Sequence, residues 1–303
     1  MILTFGSCSS EKKENDWTKE KLNGKVKSLT EYSYAAIQNN GKIEKGPREN
    51  EAMSDFQNKY GEHGNIIERN EYKPDGSLLG SYSYKFGSNN KIISGTEMRY
   101  YDGKITSKNL PKYEDGNRVS GSIYTADGKI DRKYTSKNDK EGNRTELEFY
   151  DAKDSLVSRG TYKYDKDGNG IESKLYNPDG SEHSKVTFKY DQDGNEIEAI
   201  YTSKDGNFDY HYISKYDKDG NKLERIIYDL EGNFKYRYTY QYDKYGNVTE
   251  RSAFNQEGKL KNKLANSYEY DQEGNWIKAI KYIVQDEKKE PKTIVERTFE
   301  YYK

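Results

Sequence analysis

Tyr164-Asp165-Lys166-Asp167-Gly168-Asn169 decides the fold, because the same pattern returns at Tyr190–Asn195, Tyr216–Asn221, Tyr242–Asn247 and Tyr270–Asn275. Weaker copies end at Gly64-Asn65, Gly116-Asn117 and Gly142-Asn143. The glycines stand at 64, 116, 142, 168, 194, 220 and 246, with Asn90 in the vacant place, a spacing of 26 residues that becomes 28 at Gly274. Asp at the first position and Gly at the fourth suit a type I turn closed by a left-handed residue, a common hairpin connection with a G1 bulge. The Asp carboxylate can accept hydrogen bonds from the turn backbone. A second turn follows 12 residues later, at Asp75-Gly76, Asp127-Gly128, Asp179-Gly180, Asp205-Gly206, Glu231-Gly232 and Glu257-Gly258, and Asp154-Ser155 keeps its place without glycine. Each repeat therefore holds two segments, of about 12 and 14 residues, each ending in a turn.

Between turns the side chains alternate with a period of two, the signature of strands. After Gly206 the order Phe208, Tyr210, Tyr212, Ser214, Tyr216 opposes Asn207, Asp209, His211, Ile213, Lys215. After Gly232, Phe234, Tyr236, Tyr238, Tyr240 and Tyr242 oppose Lys235, Arg237, Thr239 and Gln241. After Gly194 the same count puts Ile197, Ala199 and Tyr201 on one face and Glu196, Glu198 and Ile200 on the other. One face is aromatic and aliphatic. The other is charged, with Glu68, Glu146, Glu172, Glu198, Glu224 and Glu250 at equivalent positions.

The 303 residues are 31% hydrophobic and 14% aromatic, and 31 of them are tyrosine. So few aliphatic residues predict a thin core built from tyrosine rings. About nine repeats, the first and last irregular like capping units, give about 18 antiparallel strands. Side by side these would span roughly 85 Å, and strand twist would coil so wide a sheet. The expectation is an all-β chain whose tandem hairpins form a single long sheet, twisted, coiled or partly rolled, with the aromatic face inward. A closed barrel would need a consistent shear, which the sequence does not reveal. Pro111 marks the segment Lys104 to Tyr113 as the weakest strand, since proline removes a ladder donor.

The Tyr-Asp-x-x-Gly-Asn motif, the trailing Asp-Gly turn and the preceding Tyr-x-Tyr (Tyr162/Tyr164, Tyr240/Tyr242, Tyr268/Tyr270) resemble the YD-repeat proteins, which include the Rhs proteins and the shells of bacterial Tc toxins. The resemblance runs from about residue 55 to the last repeat. It implies a β-hairpin repeat protein of the short, repeat-only lipoprotein type, and no particular activity. The residues in hand show neither the closing segment nor the toxin domain of the large shell proteins, so the shell function is not expected.

Met1-Ile2-Leu3-Thr4-Phe5-Gly6-Ser7-Cys8 followed by a polar stretch resembles the end of a bacterial lipoprotein signal peptide, with Cys8 as the lipidation site. On this reading residues 1–8 are a signal-peptide remnant, 9–20 a polar tether and 21–303 the repeat domain. The protein would sit at the cell envelope, held to an outer-membrane, surface or periplasmic face by a lipid anchor alone. Net charge is −1, with 51 basic and 52 acidic residues, which lacks the basic surplus of a nucleic-acid binder.

Asp165-x-Asp167-x-Asn169-Gly170 has the spacing of a calcium loop, but Glu172 and Tyr176 occupy the places where such a loop needs an aliphatic residue and a bidentate Glu. The turn reading is preferred, with no metal and no cofactor. His63, His183 and His211 share no spacing, and no nucleophile or phosphate-binding motif appears. The chain reads as a non-enzymatic binding or scaffold protein whose partner is an unknown protein or glycan at the cell surface. The candidate binding face is Phe208, Tyr210, Tyr212, Phe234, Tyr236, Tyr238 and Tyr240, whose rings could stack on a ligand. The alternatives are a carbohydrate-active enzyme or sugar-binding module, and a relative of a toxin-delivery shell.

Overall fold

The computed structural model describes residues 15–49, 55–206 and 209–303. Cys8 and Phe208 lie outside the described residues. A one-turn helix α1 (Asp16–Lys19) precedes β1 (Val26–Asn39), β2 (Lys42–Arg48), β3 (Asp55–Tyr60), β4 (Ile66–Tyr72), β5 (Leu78–Phe86), β6 (Ile92–Tyr101), β7 (Lys104–Glu114), β8 (Asn117–Thr125) and β9 (Ile130–Asn138). Next come β10 (Arg144–Asp151), β11 (Leu156–Tyr164), β12 (Gly170–Tyr176), β13 (Glu182–Tyr190), β14 (Glu196–Ser203), β15 (Tyr210–Tyr216), β16 (Lys222–Tyr228), β17 (Phe234–Tyr242) and β18 (Val248–Phe254). The remaining strands are β19 (Leu260–Tyr270), β20 (Trp276–Gln285) and β21 (Lys288–Tyr301). Two compact units divide the chain, one over Tyr134–Lys263 and the other over Glu14–Lys133 with Leu264–Lys303.

The turns form as their residues dictate. In the Tyr164 repeat the Asp165 N–H donates to Asn169 O (2.9 Å) and the Gly168 N–H to Asp165 O (3.1 Å). Gly168 has φ +83°, a conformation glycine takes without steric cost. Asn90 and Asp154, which fill glycine places in other copies, adopt φ +58° and +65°. This turn ends in a register shift between Lys163 and Tyr164, and the turns after Tyr190, Tyr216 and Tyr242 do the same. The less regular repeats instead use two-residue turns with both residues at positive φ, at Asn40-Gly41, Asp102-Gly103, Asp115-Gly116 and Asp286-Glu287.

The chain is all-β as expected, but the single long twisted, coiled or partly rolled sheet is overturned by the pairing of its first and last strands. In the second unit β1 pairs with β3 over Ser28–Glu31 and, on its other side, with β21 over nine residue pairs from Val26↔Tyr301 to Ala35↔Thr293. The first and last strands are thus hydrogen-bonded to each other, and the sheet has the connectivity of a closed antiparallel barrel. Closure removes the two exposed edges that an open array would leave. β2 stands outside this order, pairing with the outer half of β1. β7 keeps its full length despite Pro111. Its register with β6 stops at Asn109↔Glu97, and β8 pairs through the proline at Gly121.

Residues 15–20, assigned by sequence to the tether, are packed into the second unit. Trp17 Nε1 donates to Val26 O (2.8 Å), Asp16 Oδ2 accepts from the Ile66 N–H (2.7 Å), and Tyr60 Oη donates to Glu20 Oε2 (2.5 Å). Trp17 and Leu22 cover a core of Val26, Leu29, Phe56 and Tyr60. At the edge of β1, buried Asp55 accepts from Arg48 Nε (2.9 Å) and the Ser33 N–H (2.8 Å).

Candidate ligand-binding face

Register defines the two faces of the first unit. Phe188, Ala199, Tyr212, Ile227 and Tyr236 face one another across five strands. Ser214, Arg225, Tyr238 and Ala253 form the next row, and Tyr240 opposes Arg251 beyond it. This is the aromatic face. Val186, Phe188, Ala199 and Tyr212 are buried on it, with Tyr201 and Tyr210 packed alongside. The rings of Tyr201 and Tyr210 stack at 4.4 Å.

Burial changes along the face. Tyr212 is 4% exposed, whereas Tyr236, two strands away in the same row, is 50% exposed. Tyr238 and Tyr240 are half-buried. Of the predicted set, Tyr210, Tyr212, Tyr236, Tyr238 and Tyr240 share this face, with Tyr212 sealed into its core. Phe234 does not join them. A register shift places it opposite Tyr228, which itself opposes His211 on the charged face, and the Phe234 and Tyr228 rings meet edge-on at 6.4 Å.

Sequence alternation also misplaced charged groups. The bulge after each Tyr-Asp turn pairs Glu196 with Tyr190 and Lys222 with Tyr216, turning both onto the aromatic face. Tyr212 Oη donates to Glu196 Oε1. Arg225 lies 3.8 Å above the Tyr212 ring and donates to Ser214 Oγ (3.2 Å) and Glu196 Oε1 (3.3 Å). Arg251 lies 4.8 Å over Tyr238 and Lys222 5.6 Å from Tyr216. Burial, followed by neighbouring Arg225, holds the Lys222 ammonium below its ordinary range. Burial pushes the Tyr210 phenol up to about 12 and raises those of Tyr216 and Tyr242, so these hydroxyls stay neutral donors. The only sequence signal for this cluster was the bulge implied by the turn type.

The charged face is consumed by cross-strand pairs. Lys163 Nζ meets Glu172 at 2.8 Å, Lys189 meets Glu198 at 2.7 Å and Lys215 meets Glu224 at 2.9 Å. Lys59–Glu68 repeats the arrangement in the second unit, and Glu269–Lys278 repeats it with the signs reversed. The lysine contacts hold the carboxyls of Glu172 and Glu198 below their ordinary value. His211 Nε2 lies 3.1 Å from Glu198. The backbone carbonyls of His63 and His183 accept hydrogen bonds from Asn15 Nδ2 and the Lys204 N–H.

The turn aspartates are capping groups. Asp191 Oδ1 accepts from the N–H groups of Asp193 (3.0 Å) and Asn195 (2.8 Å), and Oδ2 accepts from Asn195 Nδ2 (3.0 Å). Asp165 and Asp217 repeat this set. Among the described residues no group of three His, Cys, Asp or Glu is arranged to hold a metal.

No family model and no curated protein matches the chain. Among solved structures, a porin-like protein from Bacteroides uniformis is 12% identical, with a TM-score of 0.37 over 91% of this chain and 96% of that one. A porin-like protein from Bacteroides vulgatus is 11% identical, with a TM-score of 0.26 over 91% and 98%. The TcdB2–TccC3 toxin structure is 11% identical, with a TM-score of 0.34 over 90% of this chain but only 20% of its own. Likenesses this weak carry no argument about function, and the YD-repeat resemblance stands on the sequence motifs alone.

Proposed function

We propose that the protein is a non-catalytic binding protein of the bacterial envelope that presents the aromatic face of β17 to a ligand. The observation that carries this reading is the half-exposed Tyr236, in line with the sealed Tyr212 and flanked by Tyr238 and Tyr240. Aromatic rings left open beside a packed core offer ready contact area at small entropic cost.

The carboxylates favour binding over hydrolysis. A glycosidase general acid needs a raised pKa, whereas cations depress Glu146, Glu172 and Glu198. Burial raises Glu20, but its carboxylate accepts from Tyr60 beneath the N-terminal helix. A glycan array read with the full chain and with Tyr236→Ala and Tyr238→Ala tests the proposal. Binding that both substitutions abolish supports it. No binding, or binding indifferent to both, overturns it.

The envelope location rests on the lipoprotein-like sequence around Cys8. Cell fractionation of a Cys8→Ser variant tests it. Release into the soluble fraction is the outcome this reading requires, and unchanged membrane association would overturn it.

A further inference from the structure

The arginines on the aromatic face are paired with carboxylates in the second unit, whereas among the described residues of β16–β18 one of the two, Arg251, is not. In the second unit Arg69 and Arg99 both meet Glu71 (3.1 and 2.8 Å), Arg118 meets Glu97, and Arg297 meets Glu31 (2.7 Å). Each of these guanidiniums also lies over an aromatic ring, of Phe56, Tyr82, Tyr113 and Trp276 respectively. The same stacking recurs in β16–β18 without the same carboxylates. There the register places Lys222, Arg225, Arg251, Tyr236, Tyr238 and Tyr240 on the aromatic face. Every charge that these three strands bring to the face is positive, and the carboxylate facing them is Glu196 of β14, paired with Arg225 and acting more weakly on Lys222.

Arg225 reaches across to Glu196 on β14. Among the described residues neither Lys222 nor Arg251 has a carboxylate in ion-pair contact. Lys222 is half-buried, and its strand is held in place by the Tyr242 hydroxyl, which donates to Lys222 O (2.8 Å). Arg251 is exposed above Tyr238. A partly desolvated ammonium and an uncompensated guanidinium beside the open Tyr236 ring and the half-buried Tyr238 and Tyr240 fit a partner that brings both anionic groups and flat, hydroxylated surfaces. Guanidinium binds planar carboxylates in paired hydrogen bonds, and neutral phenols donate to hydroxyl and carboxylate oxygens alike.

We propose that this face of β16–β18 takes an acidic saccharide of the uronic-acid class, with its carboxylates at Lys222 and Arg251 and its sugar rings on Tyr236, Tyr238 and Tyr240. The proposal rests on the reading of β17 as a ligand face and adds the charge of the ligand to it. Charge complementarity selects the carboxylated sugar over a neutral one, and the half-exposed Tyr236 ring beside these cations selects it over a plain acidic peptide.

Calorimetric titration of the full chain with oligogalacturonate, its methyl ester and polyglutamate tests the proposal. Lys222→Gln, Arg251→Gln and Tyr236→Ala are compared with the native protein, with circular dichroism confirming the fold. The expected result is binding of oligogalacturonate, weakened about tenfold by each charge removal, lost in the ester and weakened by Tyr236→Ala. Equal binding of the ester would overturn the charge assignment while leaving the ligand face standing. Polyglutamate bound as tightly, with no effect of Tyr236→Ala, would overturn the saccharide assignment. Failure of both the acid and the ester to bind would overturn this proposal, and the array then decides separately whether the ligand face survives.

Discussion

The Tyr190 hydroxyl donates to the backbone carbonyl of Gly170, twenty residues earlier, at 2.9 Å. Tyr164 makes the same bond to Arg144 O, Tyr216 to Glu196 O and Tyr242 to Lys222 O. In these four repeats the tyrosine that opens the turn therefore straps its repeat to the one before. Tyr190→Phe keeps the ring and strands the carbonyl. It should lower unfolding free energy by about 1 kcal/mol with an unchanged denaturant slope, measured by urea titration.

The turn carboxylates separate into essential and idle members. Asp191 accepts three hydrogen bonds, while the neighbouring Asp193 contributes its backbone N–H to one of them. Asp191→Ala should cost about 1–2 kcal/mol and Asp193→Ala close to nothing. Thermal melts of the two variants, with and without added calcium, check this. Stabilisation of the native chain by calcium would overturn the capping role.

Lys215 and Glu224 are direct cross-strand partners. Lys215→Glu should destabilise by about 0.5 kcal/mol through like-charge repulsion. Adding Glu224→Lys should restore stability, as the natural inversion at Glu269 and Lys278 suggests. A double-mutant cycle in denaturant reads the coupling.

Asp55 is buried and holds Arg48 and the Ser33 N–H where β1 passes from its pairing with β3 to its pairing with β2. Asp55→Ala leaves a guanidinium and an amide without their acceptor, and should cost about 3 kcal/mol. Faster hydrogen exchange over Ser28–Tyr34 than in the native chain would localise the damage, and exchange unchanged there would contradict it.

Acid should unfold the protein. Cationic partners lower the carboxyl pKa values of Glu146, Glu172 and Glu198, led by Lys137, Lys163 and Lys189; at Asp165 and Asp191 burial pulls upward but is outweighed by the turn hydrogen bonds, which also lower Asp217. A depressed folded pKa contributes stability fully above the unfolded value of about 4, and loses it as pH falls through the folded value. Glu20, raised by burial, acts oppositely, losing stability as pH rises from its unfolded value through its folded one. Six groups against one give a melting temperature that falls from neutrality to about pH 3, checked by calorimetry.

Local chemistry was legible in the sequence. The Tyr-Asp-x-x-Gly-Asn turns, the 26-residue period and the face shared by Tyr212, Tyr236, Tyr238 and Tyr240 follow from rules spanning a few residues. Bulges were the first source of error. The one beside Tyr228 carried Phe234 to the other face, and those beside Tyr190 and Tyr216 turned Glu196 and Lys222 onto the aromatic one. A strict period of two cannot express such a slip. Pairing between distant strands was the second. Nothing near Glu31 announces that Arg297 will donate to it at 2.7 Å across 266 residues, and nothing in Trp17 announces its seat against Val26.

That distance has a consequence for how the chain is made. β1 leaves the ribosome long before β21, the strand it must pair with, has been translated. Until then one margin of β1 has no native partner, and its backbone amides are available to any passing strand. Closing so long a loop carries an entropic cost of about 5 kcal/mol and ranks among the slow, non-local steps of folding. Factors that guard nascent chains should therefore matter most during synthesis of the middle repeats, when β1 has emerged and its mate has not.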